Sequence, residues 1–289
     1  MMTFRGKRLA NTKLPHGVVW LLDKLAESKE KQELYENESR RILKSLQEIA
    51  LVEGAESSNR IDGVTVEAER LRPLVLGNAR PRDRSEEEVI GYRNALSWVH
   101  GNHDKVSIEP ETLRRLHELA QEGIIGDAGR WKQSQNEIVE LDPEGRLEVR
   151  FQPLEPALVP AAVEELCLAY KDSVDQLKIM PLLAVAALVF DFLCIHPFRE
   201  ANGRVSRLLT LLALYHHGYN AGRYISLERI IEQSKEGYYD ALRSSSVGWH
   251  RGSHDIFPWF HYFISTIHTA YLELEERAGS FRTTTNKPD

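Results

Sequence analysis

The chain is short of the features that would place it outside the cell or in a membrane. It has two cysteines in 289 residues. Both Cys167 and Cys194 sit in apolar helical runs without metal-ligand spacing, so a disulfide framework is excluded and buried thiols in a reducing compartment are expected. The first residues, Met1-Met-Thr-Phe-Arg-Gly-Lys-Arg8, lack the apolar stretch of a secretory signal. The longest apolar run, residues 179–195, is short for a bilayer span and contains Asp191, which reads as a core helix and predicts no membrane attachment. Basic charge is also scarce: 37 Lys and Arg stand against 43 Asp and Glu, a net charge of −6. That excludes nucleic acid as the expected partner, because such binding rests on a basic surface. His216, His217, His250, His254, His261 and His268 are scattered without a ligand constellation, so no zinc site is expected. There are no tandem repeats. A soluble, cytoplasmic protein is expected, and a homo-oligomer is left open.

What is present is helical periodicity over a chain with 42% apolar residues. Val18 to Leu25 predicts a short amphipathic helix and Leu34 to Val52 a second, ending near Gly54. Residues 56–63 are polar and read as a connector, and residues 71–81, rich in Pro, Gly and Arg, as a loop. Ser85-Glu-Glu-Glu88 predicts a capping box for a helix through Val99, and Pro110 starts another that closes at Gly123. The period changes to two over residues 136–141 and 146–151, separated by Asp142-Pro-Glu-Gly145, which predicts a β-hairpin. Further helices are expected over 156–172, over 225–246 with an interruption near Ser234, and over 255–276. Tyr224, Tyr238 and Tyr239 could line a base pocket, although packing is the commoner role for such residues.

Chemistry concentrates in His196-Pro-Phe-Arg-Glu-Ala-Asn-Gly-Arg204, followed by Arg207. Pro181 to Ile195 predicts a buried helix that carries this stretch, and Val205 to Tyr215 a helix that leaves it, so the turn between them feeds a helix N-terminus, a natural anion site. Arg204 and Arg207 share a face of that first turn although cations there oppose the helix dipole, a conflict that a bound polyphosphate resolves. Glu200 is placed to hold a hard cation that also takes phosphate oxygens. His196 has the unperturbed pKa suited to general-base work.

This stretch resembles the signature of the Fic family, H-P-F-x-(D/E)-G-N-(G/K)-R-x-x-R, at eight of nine fixed positions, with Ala201 in place of Gly. The resemblance implies an all-α, Fic-like helical domain with one β-hairpin flap. It further implies AMP transfer from Mg-ATP (or the Mn²⁺ complex) to a Ser, Thr or Tyr hydroxyl of a target protein. In that reading His196 is the base and Glu200 holds the metal. Ala201, Asn202, Gly203, Arg204 and Arg207 bind ATP phosphates, with Asn202 on the α-phosphate, and Phe198 anchors the loop. The 130–151 hairpin would bind the target.

A second string, Ser58-Asn-Arg-Ile-Asp62-Gly63, resembles the (S/T)-x-x-x-E-(G/N) inhibitory helix of the same family, with Asp in place of Glu. Ser58, Asp62 and Gly63 are thereby implied to restrain Arg207. Asp is shorter than Glu by roughly 1.5 Å, so a long or water-bridged contact and partial inhibition are expected, and Asp62→Glu should tighten it. The expected organisation is a regulatory segment 1–83, a catalytic domain 84–278 and a polar tail 279–289. Three other readings stay open: a Doc-like phosphotransferase, suggested by Ala201; a deAMPylase; and a non-catalytic interaction module, against which the intact set of polar residues argues.

Overall fold

The computed structural model describes residues 3–38, 40–122, 126–141 and 144–285. Its centre is the helix α7, Pro181–Ile195, in which every residue from Leu182 onward is buried. A helix apolar on all sides has to be surrounded, and α6 (Val159–Asp175), α8 (Asn202–His216) and α11 (Phe257–Thr285) pack around it. Its one charge, Asp191, is satisfied rather than exposed. The carboxylate accepts from Trp249 Nε1 at 2.6 Å, Thr3 Oγ1 at 2.7 Å and the Thr3 N–H at 3.1 Å. Burial still raises its pKa despite these donors.

The N-terminal part is longer and more continuous than its periodicity predicts. α1 is His16–Glu38 and α2 is Arg40–Ile61, so Leu34 lies in the first helix and α2 runs straight through Gly54. Gly54 does not end a helix. A Cβ there would stand 3.1 Å from both Glu228 Oε2 and Leu96 Cδ2, and the missing side chain lets α2 lie against α4 (Arg84–Asn102) and α9 (Leu227–Gln233). The 56–63 segment, expected as a connector, is the end of α2 and its exit. One apolar core holds Leu22, Leu25 and Leu46 together with Leu96, Leu212 and Ile267, so residue 83 marks no gap in packing.

Residues 71–81, expected as a loop, contain the end of α3, Ala68–Val75, with Pro73 inside it. Burial of Leu71, Leu74 and Val75 outweighs the helix-breaking tendency of proline there. The N-cap of α4 is Asp83, not Ser85. The Asp83 side chain caps the helix by accepting from the Glu86 N–H at 3.0 Å. α5 spans Pro110–Ala120, while Gly123, expected to close it, lies outside the described residues.

The hairpin forms as the period-two pattern predicts. β1 (Ile138–Leu141) pairs antiparallel with β2 (Leu147–Phe151), with a bulge between Ile138 and Val139, while the turn residues 142–143 lie outside the described residues. α9 and α10 (Lys235–Ser246) are interrupted at Ser234 as expected. α11 runs past residue 279, the expected start of the tail, with residues 286–289 outside the described part. Among the described residues no helix is long and apolar enough to cross a membrane. Cys167 and Cys194 are buried free thiols. Burial pushes the Cys167 thiol up to about 12, so it is chemically quiet at neutral pH.

Candidate active site

α7 ends where His196 turns into the left-handed region, φ 51°, and α8 begins after Ala201, φ 60°. The loop between them is held from both sides. Asn202 Oδ1 accepts from the Phe198 N–H at 2.9 Å, while its Nδ2 donates to the Phe198 carbonyl at 2.8 Å. Asn136 Nδ2 donates to the same carbonyl at 3.0 Å, and the Lys132 N–H to the Pro197 carbonyl at 2.9 Å. Both ends of the Asn202 amide are thus bonded to the Phe198 backbone. Ala201 occupies a conformation that costs a residue with a Cβ about 1–2 kcal/mol, and this explains why Gly is the usual residue at that point of the pattern.

Phe198 is fully buried. Its ring stacks on His117 with centroids 3.9 Å apart and planes 1° from parallel, and Trp131 lies 5.0 Å away. His117 accepts from the Gly129 N–H through Nδ1, and burial holds its pKa down at about 4, so the stack is between neutral rings. Phe198→Ala is expected to destabilise the fold by about 3–5 kcal/mol, which a denaturant titration would measure. An unchanged midpoint would show that the loop does not depend on this stack.

The loop and α8 form one wall of a cavity of about 500 Å³. His196, Glu200, Ala201, Asn202, Gly203, Arg204, Arg207 and Asp62 all line it, as do Tyr238 and Tyr239. Tyr224 does not; it is buried elsewhere, with its hydroxyl on Glu36. His196 Nδ1 lies 3.1 Å from the Leu193 carbonyl, which can only accept, so the proton sits on Nδ1 and Nε2 keeps a free lone pair. Desolvation lowers the His196 pKa to about 4, with Lys132 and Arg150 adding to the effect. The imidazole is thus neutral at neutral pH.

The first helical bond of α8 runs from the Val205 N–H to the Ala201 carbonyl, which leaves the N–H groups of Asn202, Gly203 and Arg204 outside the helix ladder. Arg204 and Arg207 are almost fully buried, not free for a ligand. Arg207 donates from Nε to Ser58 Oγ at 2.8 Å, and from Nη2 to the Ser58 carbonyl at 2.8 Å and Asp62 Oδ2 at 3.0 Å. Arg204 Nη1 pairs with Glu88 Oε2 at 3.0 Å, and its Nε lies 3.7 Å from Asp62. Burial alone would lower the Arg207 pKa; the Asp62 carboxylate together with Tyr238 and Tyr92 outweighs it and holds the guanidinium above its ordinary range.

Asp62 therefore reaches Arg207 directly, without the long or bridged contact expected from its shorter side chain. Gly203 supplies the reason. A Cβ at that position would stand 3.0 Å from Asp62 Oδ1 and 3.2 Å from Arg207 Nη1. The end of α2 seats against bare backbone, and this close approach replaces the missing methylene. The space that Gly203 leaves is filled by the carboxylate. Gly63, at φ 86°, carries the chain out of α2 and does not line the cavity.

Glu200 is half exposed and pairs with Arg84 Nη2 at 2.8 Å. Among the described residues no group of three or more His, Cys, Asp or Glu could hold a metal ion. A single cavity-wall carboxylate still suits a divalent ion that brings phosphate oxygens and water as its other ligands.

Residues 107–214, which contain the hairpin, α7 and the loop, match the family model described as Fic/DOC. The chain carries a Fic/DOC domain. Solved structures show the same fold over more of the chain. A Fic family protein from Desulfovibrio desulfuricans G20 is 19% identical, with a TM-score of 0.73 over 96% of this chain and 78% of that one. A Fic domain containing signaling protein from Bacteroides thetaiotaomicron VPI-5482 is 20% identical, with a TM-score of 0.75 over 89% and 97%. Fic-1 from C. elegans is 18% identical, with a TM-score of 0.68 over 92% and 74%. No curated protein matches the chain significantly.

Several members of this Fic site carry no sequence signal. Glu88, Arg84 and His117 come from α4 and α5, far from the loop in the chain, and nothing in their local pattern marks them as members of this site. Arg150 belongs to the hairpin, where a charged residue reads as an outward-facing one.

Proposed function

We propose that the protein transfers AMP from ATP to a Ser, Thr or Tyr hydroxyl of a target protein, and that the end of α2 restrains it. The observation that carries this reading is the neutral His196, its Nε2 free, opening on the same cavity as Arg204, Arg207, Glu200 and the unbonded N–H groups of α8. An interaction module has no use for such a base.

In the proposed step the target hydroxyl gives its proton to His196 Nε2 while its oxygen forms a bond to the α-phosphorus. The bond to pyrophosphate breaks, and pyrophosphate leaves with the electron pair. The α8 N–H groups and Arg207, once freed from Asp62, would neutralise the leaving charge. A divalent ion on Glu200, Mg²⁺ or Mn²⁺, would supply Lewis-acid neutralisation of the phosphates, and Glu200 must first part from Arg84 to hold it. The hairpin would register an extended target segment by edge pairing, with Val139, Leu147 and Val149 exposed on it. We place the protein in the cytoplasm, where thiols stay reduced.

Incubation with ATP labelled at the α- or the γ-phosphate, in the presence of a lysate, tests this. Protein-bound label is expected from the α position only. Label from the γ position would establish phosphotransfer instead, and no label from either, even with Asp62 replaced by Ala and Mg²⁺ or Mn²⁺ supplied, would leave a binding module.

A further inference from the structure

The hairpin contributes to the cavity one arginine, Arg150, that has no hydrogen bond or ion pair among the described residues. β1 and β2 are in register from Leu141 opposite Leu147 to Val139 opposite Val149, but Ile138 then stands opposite Phe151. Arg150 is the extra residue of a β-bulge. Neighbouring strand residues ordinarily point to opposite faces, yet Arg150 and Phe151 both line the cavity. Bulges beside active sites re-aim side chains in this way.

Arg150 is half-buried and makes no hydrogen bond or ion pair among the described residues, and its Nη1 is out of reach of water. A buried guanidinium donor left unpaired is costly, and such a group needs an explanation. The other arginines on the cavity wall are neutralised: Arg204 by Glu88, Arg207 by Asp62, and Arg84 by Glu88 and Glu200. Arg150 is thus the cavity arginine without an ion pair among the described residues, and the acidic group that acts on it, Glu140, is paired with Arg243. Arg150 and His196 line the same cavity, and the Arg150 charge adds to the lowering of the His196 pKa.

We infer that Arg150 is a catalytic residue that donates to a non-bridging oxygen of the phosphoryl group transferred at His196. The inference rests on the nucleotidyl-transfer reading. As the hydroxyl oxygen bonds to the α-phosphorus, the proton passes to His196 Nε2 and pyrophosphate departs with the broken bond's pair. Arg150 makes and breaks no covalent bond; it offsets charge on the oxygens that stay with the phosphorus. The same charge adds to the desolvation that keeps His196 unprotonated.

Calorimetric titration of AMP and of adenosine into the full chain and its Arg150→Gln and Arg150→Lys variants tests this. AMP has no phosphate for the Arg204 and Arg207 pole, so Asp62 does not compete with it. Arg150→Gln should weaken AMP roughly ten- to a hundred-fold and leave adenosine unchanged, with Lys restoring part of the loss. In the nucleotide-free protein, an NMR titration of His196 should move upward from about 4 in Arg150→Gln, while burial still holds it below the ordinary value of about 6.5. Equal loss for both ligands would overturn the inference by assigning Arg150 to base, ribose or packing. Unchanged AMP binding would overturn it too, in favour of a carboxylate of the target as partner. A wild type that binds neither ligand would sink the nucleotide reading with it, whereas intact wild-type binding with an indifferent variant sinks this inference alone.

Discussion

His196→Ala is expected to lower AMP transfer by roughly 10²- to 10⁴-fold while ATP binding is retained, because a base acts in the chemical step. Binding and rate should separate cleanly, since the phosphate-facing groups belong to α8 and its side chains, not to the imidazole. The pH dependence follows from the same residue. With its pKa lowered to about 4 by burial, His196 is unprotonated across the neutral range. The rate should therefore be insensitive to loss of this base from about pH 8 down to about pH 5. It should fall only as the pH drops through about 4, where the imidazole gains a proton. An acid limb centred near 6.5, the ordinary histidine value, would show that His196 is solvated during catalysis or is not the base. Full transfer by His196→Ala would remove it from the chemistry altogether.

Asp62→Ala should raise the transfer rate by roughly tenfold or more, the equivalent of about 1.4 kcal/mol of restraint. The physical basis is the 3.0 Å charge-assisted bond from Arg207 Nη2, a contact of the kind worth about 1.5–3 kcal/mol, which holds Arg207 away from a phosphate. The fold should survive the change. Arg207 keeps its bonds to Ser58 Oγ and the Ser58 carbonyl, and the lost carboxylate is partly exposed, so a melting curve should move by only a few degrees. Asp62→Glu is expected to change the rate by less than about threefold. The contact is already direct, and the closeness of Gly203 leaves little room for another methylene. Initial rates with α-labelled ATP decide the matter. If Asp62→Ala leaves the rate unchanged in a folded protein, the ion pair is structural and α2 regulates nothing.

How far the site could be read in advance differed from residue to residue. His196, Phe198 and Gly203 were legible because each is defined by its neighbours in the chain: a helix end, an apolar anchor inside a polar loop, a bare position at a helix start. Asn202 was legible as part of the site, but its clamp on the Phe198 backbone was not, since that contact depends on how the loop folds. Gly54 and Pro73 misled for a common reason. Both residues weaken isolated helices by about 1 and 3 kcal/mol, and packing of α2 and α3 against the core outweighs that. Arg150 was hidden because a bulge changes which way a strand residue points, and a bulge depends on the partner strand.

The sequence by itself determined the helical class, the buried α7 that carries the loop, the hairpin, and the identity of the polar groups at the centre. These follow from periodicity and from residues adjacent in the chain, whose relative positions the backbone fixes. Only the tertiary structure decided which charges meet. Asp62 and Arg207, Glu88 and Arg204, and Arg84 and Glu200 are each more than a hundred residues apart. Whether such groups touch is set by how close two helices lie, to within a few tenths of an ångström, and at Gly203 that closeness depends on the absence of a single carbon atom.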